Sequence, residues 1–264
     1  MKFQLFLILL LSLFKYNYTH AVYNHSFGLY NARLSSIAYC PQSIIDSWSC
    51  ENCRYFDMQM ISTFWDSETS TYAYFLYDVM NDHHVLVFEG SQDANDFMID
   101  LQFSKLIPYK SYPTAKVHSG FWKAYTSIRE EILGLMVGVD TLLVTGHSLG
   151  GALSTIAGLD IMEELNFTNV YITTFGSPRV GNEDFVKLFV KLNVFRITHG
   201  QDPVVHLPPV LLGFEHAPVE IFYPNNTMSY EVCETNDCAE KGFINPLSIK
   251  DHGLYLGIKM TDCI

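Results

Sequence analysis

Leu142-Leu143-Val144-Thr145-Gly146-His147-Ser148-Leu149-Gly150-Gly151-Ala152 joins two periodicities. The first four residues are apolar or β-branched, as in a strand covered on both faces. From Leu149 onward the spacing turns helical, and the apolar pattern runs to Leu165. Between them stands G-x-S-x-G, read over Gly146 to Gly150. In a strand-to-helix context its glycines permit a turn tight enough to hold the Ser148 hydroxyl out at the end of a sheet. The motif alone is weak evidence, but here both flanks it requires are present.

Working outward, short β-rich runs alternate with longer helical ones. Strands are expected at Tyr72 to Tyr77, Val85 to Phe88, Leu142 to Thr145, Val170 to Phe175 and Val194 to Ile197. Helices are expected at Phe121 to Met136, Leu149 to Leu165 and Glu183 to Lys191. Strand and helix in repeated alternation mean a mostly parallel α/β sheet with right-handed crossovers. No repeat, low-complexity tract or linker follows residue 22, so residues 22–264 read as one domain. The stretch from Ser91 to Val117 is long for a connection, and such segments are usually functional loops or lids.

A serine hydroxyl becomes nucleophilic when a neighbouring base takes its proton, and on this fold an acid and then a histidine follow the serine in the chain. His252 in Asp251-His252-Gly253-Leu254-Tyr255 is the preferred base, with His206 and His216 also downstream. His147 is too close along the chain and should pack beneath the turn. Asp202 is the preferred carboxylate because it lies just past a strand's C-terminal end, where open α/β sheets place their sites. Asp184 and Asp251 compete for that role. The oxyanion needs two donors: the Leu149 N–H is one, and Ser91 in Phe88-Glu89-Gly90-Ser91 is the candidate for the other.

At 264 residues with 48% hydrophobic content, the chain can bury a large core. Lys2 followed by the apolar run Phe3 to Phe14 and then Thr19-His20-Ala21 reads as a secretory signal peptide over residues 1–21, since the run is too short to span a bilayer. The formal charge of −12 becomes −14 once the two lysines of that segment leave, which argues against nucleic acid and against electrostatic recruitment to anionic membranes. Six cysteines behind such a leader favour disulfides. Cys50 and Cys53 could form a redox or zinc half-site, but no second C-x-x-C or paired histidines accompany them, so a local disulfide is expected. Glycosylation sequons stand at Asn24, Asn166 and Asn225.

Taken together these residues resemble the class 3, or fungal-type, triacylglycerol lipase family. Phe88-Glu89-Gly90-Ser91 is similar to its oxyanion loop, Val117-His118-Ser119-Gly120-Phe121 to the entry of the next helix, and Gly146 to Gly151 to its nucleophile elbow. Thr174 to Asn182, Asp202 to Pro209 and Asp251 to Tyr255 resemble three further motifs, in order, so the likeness runs from about Cys40 to Cys263. It implies an α/β-hydrolase fold with a lid segment, a triad of Ser148, Asp202 and His252, and an oxyanion hole of Ser91 and Leu149. It also implies pairing of Cys40 with Cys263, Cys50 with Cys53 and Cys233 with Cys238. Glu89 departs from the pattern, since relatives commonly carry Arg before Gly-Ser.

The expectation is a secreted, metal-free and cofactor-free serine esterase acting on acylglycerols at a lipid–water interface, without a stable membrane anchor. A phospholipase A1 or a feruloyl-type esterase on the same fold is the alternative. A catalytically inactive lipid-binding protein is less consistent with an intact triad. The resemblance places a lid after Ser91. There, on a helical wheel, Ala94, Phe97, Met98 and Leu101 gather opposite Asp93, Asp96 and Asp100.

Overall fold

The structure is a computed structural model, describing residues 22–93, 96, 98, 102–225, 228–233, 238–241 and 248–263. The expected leader, residues 1–21, lies outside the described residues.

Among the described residues the strands are β1 (Met58–Asp66), β2 (Thr71–Asp78), β3 (His83–Phe88), β4 (Lys105–Leu106), β5 (Val117–His118), β6 (Leu142–His147), β7 (Val170–Phe175), β8 (Asn193–His199), β9 (Glu220–Tyr223), β10 (Glu231–Cys233), β11 (Leu254–Tyr255) and β12 (Ile258–Lys259). Eight of them form one sheet in the order β1-β2-β3-β6-β7-β8-β9-β10. The centre, from β3 to β9, is parallel, and antiparallel strands finish both edges. This is the mostly parallel sheet flanked by helices that the strand–helix alternation predicts.

Burial explains why the central strands are continuously apolar. Every residue of β6 is buried, because helices cover both faces. Along β3, Leu86 and Phe88 face a core shared with Phe75, Val144, Ile156 and Ile172, while Val85 and Val87 face the opposite core with Leu34, Ile37, Tyr74 and Leu143. Helix Leu149–Leu165 packs on the first face against β6 and β7, and helix His25–Ile37 packs on the second against β6. Residues 150–161 are all buried, so this helix is a core element, not a surface amphipath.

Two expected helices differ. The one placed at Phe121 to Met136 is broken into Ser119–Thr126 and Arg129–Gly134. Thr126 and Ser127 spend their hydroxyls on the carbonyls of Trp122 and Ala124, a local competition that favours helix ends. The one at Glu183 to Lys191 is a single α-turn, Glu183–Val186, running into a 3₁₀ segment, Lys187–Lys191.

Cys40 is bonded to Cys263, Cys50 to Cys53 and Cys233 to Cys238, matching the pairing that the resemblance implies. Asn24, Asn166 and Asn225 are all exposed. The Cys40–Cys263 bond closes a loop with a sequence separation of 223, and constraining a loop that long in the unfolded chain stabilises the fold. Replacing both residues with serine should lower unfolding free energy by about 2–4 kcal/mol, read as an earlier urea midpoint. An unchanged midpoint would assign the bond no stabilising role.

Candidate active site

Ser148 sits where β6 ends and helix Leu149–Leu165 begins, with φ 57 and ψ −126. A non-glycine residue there is strained and persists only where its surroundings over-determine it. They do so here because the residues two places to either side, Gly146 and Gly150, lack a side chain. A Cβ on Gly146 would lie 2.4 Å from the Gly150 oxygen, and one on Gly150 would lie 2.3 Å from the Phe88 oxygen. Strand β3 and the helix thus close on the turn from either side.

Asp202 lies in the loop after β8, and His252 closes the short helix Ile249–His252. The His252 Nδ1 stands 3.0 Å and 2.9 Å from the two Asp202 carboxylate oxygens. Both side chains are almost fully buried. Burial alone would raise the Asp202 pKa, but the His252 ring and hydrogen bonds from Tyr255 and the Val204 N–H outweigh it and hold the carboxyl below the usual range. The Val204 N–H donates to Oδ1 at 2.8 Å, and the Tyr255 hydroxyl donates to Oδ2. The Ser148 Oγ and the His252 Nε2 are both among the buried atoms without a hydrogen-bond partner in the described residues.

The competing residues are occupied elsewhere. Asp184 is bonded to Lys187 on the surface. Asp251 accepts the Gln201 N–H at 2.8 Å, tying the histidine loop to the Asp202 loop. His216 meets the Val205 carbonyl at 2.7 Å. His147 does pack beneath the turn: burial first, and then the neighbouring His252 ring, push it down to about 3, so it stays neutral. A neutral ring with its proton on Nε2 accepts from the Tyr39 hydroxyl at Nδ1 (2.7 Å) and donates to the His252 carbonyl (2.8 Å).

Ser91 and Leu149 line one cavity of about 920 Å³, together with Gln102, Leu106, His118 and Phe121. Of the expected lid face, Ala94, Phe97 and Leu101 lie outside the described residues. Met98 is half-buried and helical; Asp96 is helical but exposed, and its N–H donates to the Asp93 carboxylate at 3.1 Å. The Glu89 carboxylate accepts from the Gln92 amide across the Ser91 turn.

Tyr255 and Tyr39 are site residues that motif reading passed over. Tyr255 lies three residues past His252 inside a motif already singled out, so its spacing was a usable signal. Tyr39 gives no such signal, because it meets His147 across a sequence separation of 108. Gly176 is a third, with φ +57 and room for no Cβ, which would fall 2.7 Å from the Asp202 carboxylate.

A strained serine between a parallel strand and a helix, with a buried Asp–His pair behind it, places the molecule among the α/β-hydrolases. Residues 85–212 match the lipase (class 3) family. The chain is 31% identical over 252 residues to a lipase of Rhizopus niveus, covering 88% of this chain and 64% of that one. It is equally 31% identical to a lipase of Rhizomucor miehei, covering 89% and 69%. It thus spans about two thirds of the length of these curated relatives. A solved triacylglycerol lipase whose catalytic centre is described as a serine protease triad superposes with a TM-score of 0.83 at 30% identity, covering 90% of this chain and 96% of that one. The chain belongs to the class 3 lipase family.

Burial raises the Glu89 pKa from its usual 4.5 to about 7, with the Gln92 bond opposing. The folded state then holds this proton more tightly than the unfolded chain, so the contribution is full below pH 4.5 and is lost as pH rises through 7. Glu89→Gln should flatten the fall of Tm across that window. An unchanged Tm–pH slope would place the carboxyl in solvent.

Proposed function

We propose that this protein is a secreted serine esterase that hydrolyses acylglycerols through an acyl-enzyme on Ser148. The observation that carries this reading is the buried Asp202–His252 pair, whose outward nitrogen and the Ser148 hydroxyl are both left without partners. The His252 Nε2 takes the Ser148 proton as Oγ attacks the ester carbonyl, and Asp202 stabilises the imidazolium so formed. The N–H groups of Leu149 and Ser91 meet the developing oxyanion, helped by the N-terminal end of a 17-residue helix. His252 then returns its proton to the departing alcohol, and water releases the acid by the same steps in reverse.

No metal or organic cofactor takes part in this scheme. Residues 1–21 act as a cleaved leader, and the remaining chain carries the activity. The substrate is a neutral acylglycerol met at a lipid–water interface. Family membership supports that choice, as do the acidic net charge and the apolar members of the cavity lining.

Ser148→Ala should cut turnover by about 10³-fold or more with the fold intact. His252→Ala and Asp202→Ala should each be severely impaired, and neither should add to the loss in the serine variant, because the three act as a unit. Near-normal turnover by folded Ser148→Ala would sink the assignment. A panel of acylglycerols, phospholipids and feruloyl esters, run with a short-chain ester taken across its solubility limit, tests the substrate. Preference for acylglycerols and a rise above the limit are expected; preference for a soluble feruloyl ester, without a rise, would replace this reading with an ordinary esterase.

A further inference from the structure

The loop that follows β3 is gripped at its start and released soon after. The Glu89 N–H donates to the Tyr72 carbonyl at 3.0 Å, which carries the sheet one residue past Phe88. The Glu89 carbonyl lies against the elbow, where a Cβ on Gly150 would fall 2.9 Å from it. Gly90 is wedged as firmly: a Cβ there would come 2.1 Å from the Tyr39 hydroxyl oxygen and 2.5 Å from the His147 carbonyl oxygen. Beyond Gly90 this backbone packing ends. Ser91 makes no hydrogen bond of its own among the described residues, and Gln92 is exposed.

A backbone N–H aimed at a developing oxyanion has to be fixed before the charge appears, because a donor that must reorient gives up part of its stabilisation. Gly90 fixes Ser91 from behind. From ahead, the restraint among the described residues is a side-chain bond: the Gln92 amide donates to the Glu89 carboxylate. Side chain and backbone together close a ring around Gly90 and Ser91. One end of the ring is the half-buried Glu89, anchored on β2 and the elbow, and the other is the first exposed residue of the segment that leads on to Met98.

We propose that Glu89 is a positioning residue for the oxyanion hole: by clasping Gln92 it sets the direction of the Ser91 N–H without touching the substrate. The inference deepens the esterase reading and rests on it. The clasp acts on the transition state. In the bound ester the carbonyl oxygen gains little from one aligned donor, but as the Ser148 Oγ adds, that oxygen takes up a full charge and alignment counts. Loss of the clasp therefore shows in kcat and not in KM. A carboxamide at position 89 offers the Gln92 amide the same kind of acceptor as the carboxylate, so the loop needs the bond and not the charge.

The test is steady-state hydrolysis of a dissolved short-chain ester by the full protein, comparing wild type with Glu89→Leu, Glu89→Gln, Gln92→Ala and the double variant of Glu89→Leu with Gln92→Ala. Circular dichroism certifies the fold of each. Phenylboronic acid, whose boron takes up the Ser148 oxygen to give a tetrahedral anion, is titrated as an inhibitor. Expected is a fall in kcat of about five- to tenfold for Glu89→Leu and for Gln92→Ala, at unchanged KM, with a matching loss of boronate affinity. The double variant should lose no more than either single one, and Glu89→Gln should stay within about twofold of wild type. Gln92→Ala alters an exposed side chain, so its result stands even where Glu89→Leu does not fold. Unchanged kcat in Gln92→Ala, a loss confined to KM, or an equal loss in Glu89→Gln would overturn the clasp while leaving the esterase reading in place. Neither hydrolysis nor boronate binding by the folded wild type would remove the esterase reading and the clasp with it.

Discussion

Ser148 can hold φ 57 only while three pieces of backbone touch where side chains would ordinarily keep them apart. Gly150 lets the helix approach the end of β3 until its would-be Cβ meets the Phe88 and Glu89 carbonyl groups. Gly146 lets the same helix fold back over the end of β6. A side chain at either glycine would push the helix off the sheet, and the serine would relax into an ordinary conformation facing nothing. The elbow therefore depends on the parallel pairing of β3 with β6, whose register sets Phe88 opposite Gly146. Sheet order and chemistry are coupled at this contact.

The parts of the proposed catalytic site come from distant stretches of chain, and buried hydrogen bonds keep them in register. His147 joins them most directly. It is covalently next to Ser148, accepts from Tyr39 and donates to the carbonyl of His252. Tyr39 in turn lies against Gly90, where a Cβ would sit 2.1 Å from its hydroxyl. Oxyanion loop, elbow and histidine loop thus converge on one neutral imidazole. Its neutrality follows from burial, and the arrangement needs it: a protonated ring could not accept the Tyr39 hydroxyl hydrogen.

The sequence was most legible where local pattern and burial agree. β6, the elbow and helix Leu149–Leu165 could be read because apolar runs there are continuous and the glycines are punctuation. Helix His25–Ile37 could not, because Asn31, Ser35 and Ser36 lie on its buried face and look solvent-facing in the sequence. Their partners explain the burial: Ser35 meets the Thr145 hydroxyl at 2.9 Å, Asn31 meets the Phe27 carbonyl, and Asn52 donates to Ser36. β1 escaped notice as an edge strand whose register shifts between Met60 and Ser62, interrupting the period-two pattern. Among site residues, Ser148, Asp202 and His252 were legible through the motifs around them, whereas Tyr255 and Gly176 were passed over inside such motifs. Tyr39 and Gly176 act through tertiary contact, which no spacing rule encodes.

A second constraint lies beneath Asp202 and bears on what the loop after β8 can do. Arg196 on β8 and Glu220 on β9 are register partners, both buried, with their charges 3.4 Å apart. Glu220 also accepts the Thr198 hydroxyl at 2.7 Å and the N–H groups of Cys238 and Ala239, at the start of the short helix Cys238–Lys241. Such a pair adds little net stability, because desolvating two charges offsets their attraction, yet loss of one partner strands the other at a cost of about 3–5 kcal/mol. Its value is positional. One carboxylate locks β8, β9 and the segment closed by Cys233–Cys238 together, and the strand so fixed delivers Asp202 three residues beyond its end. A rigid strand end holds the carboxylate against His252.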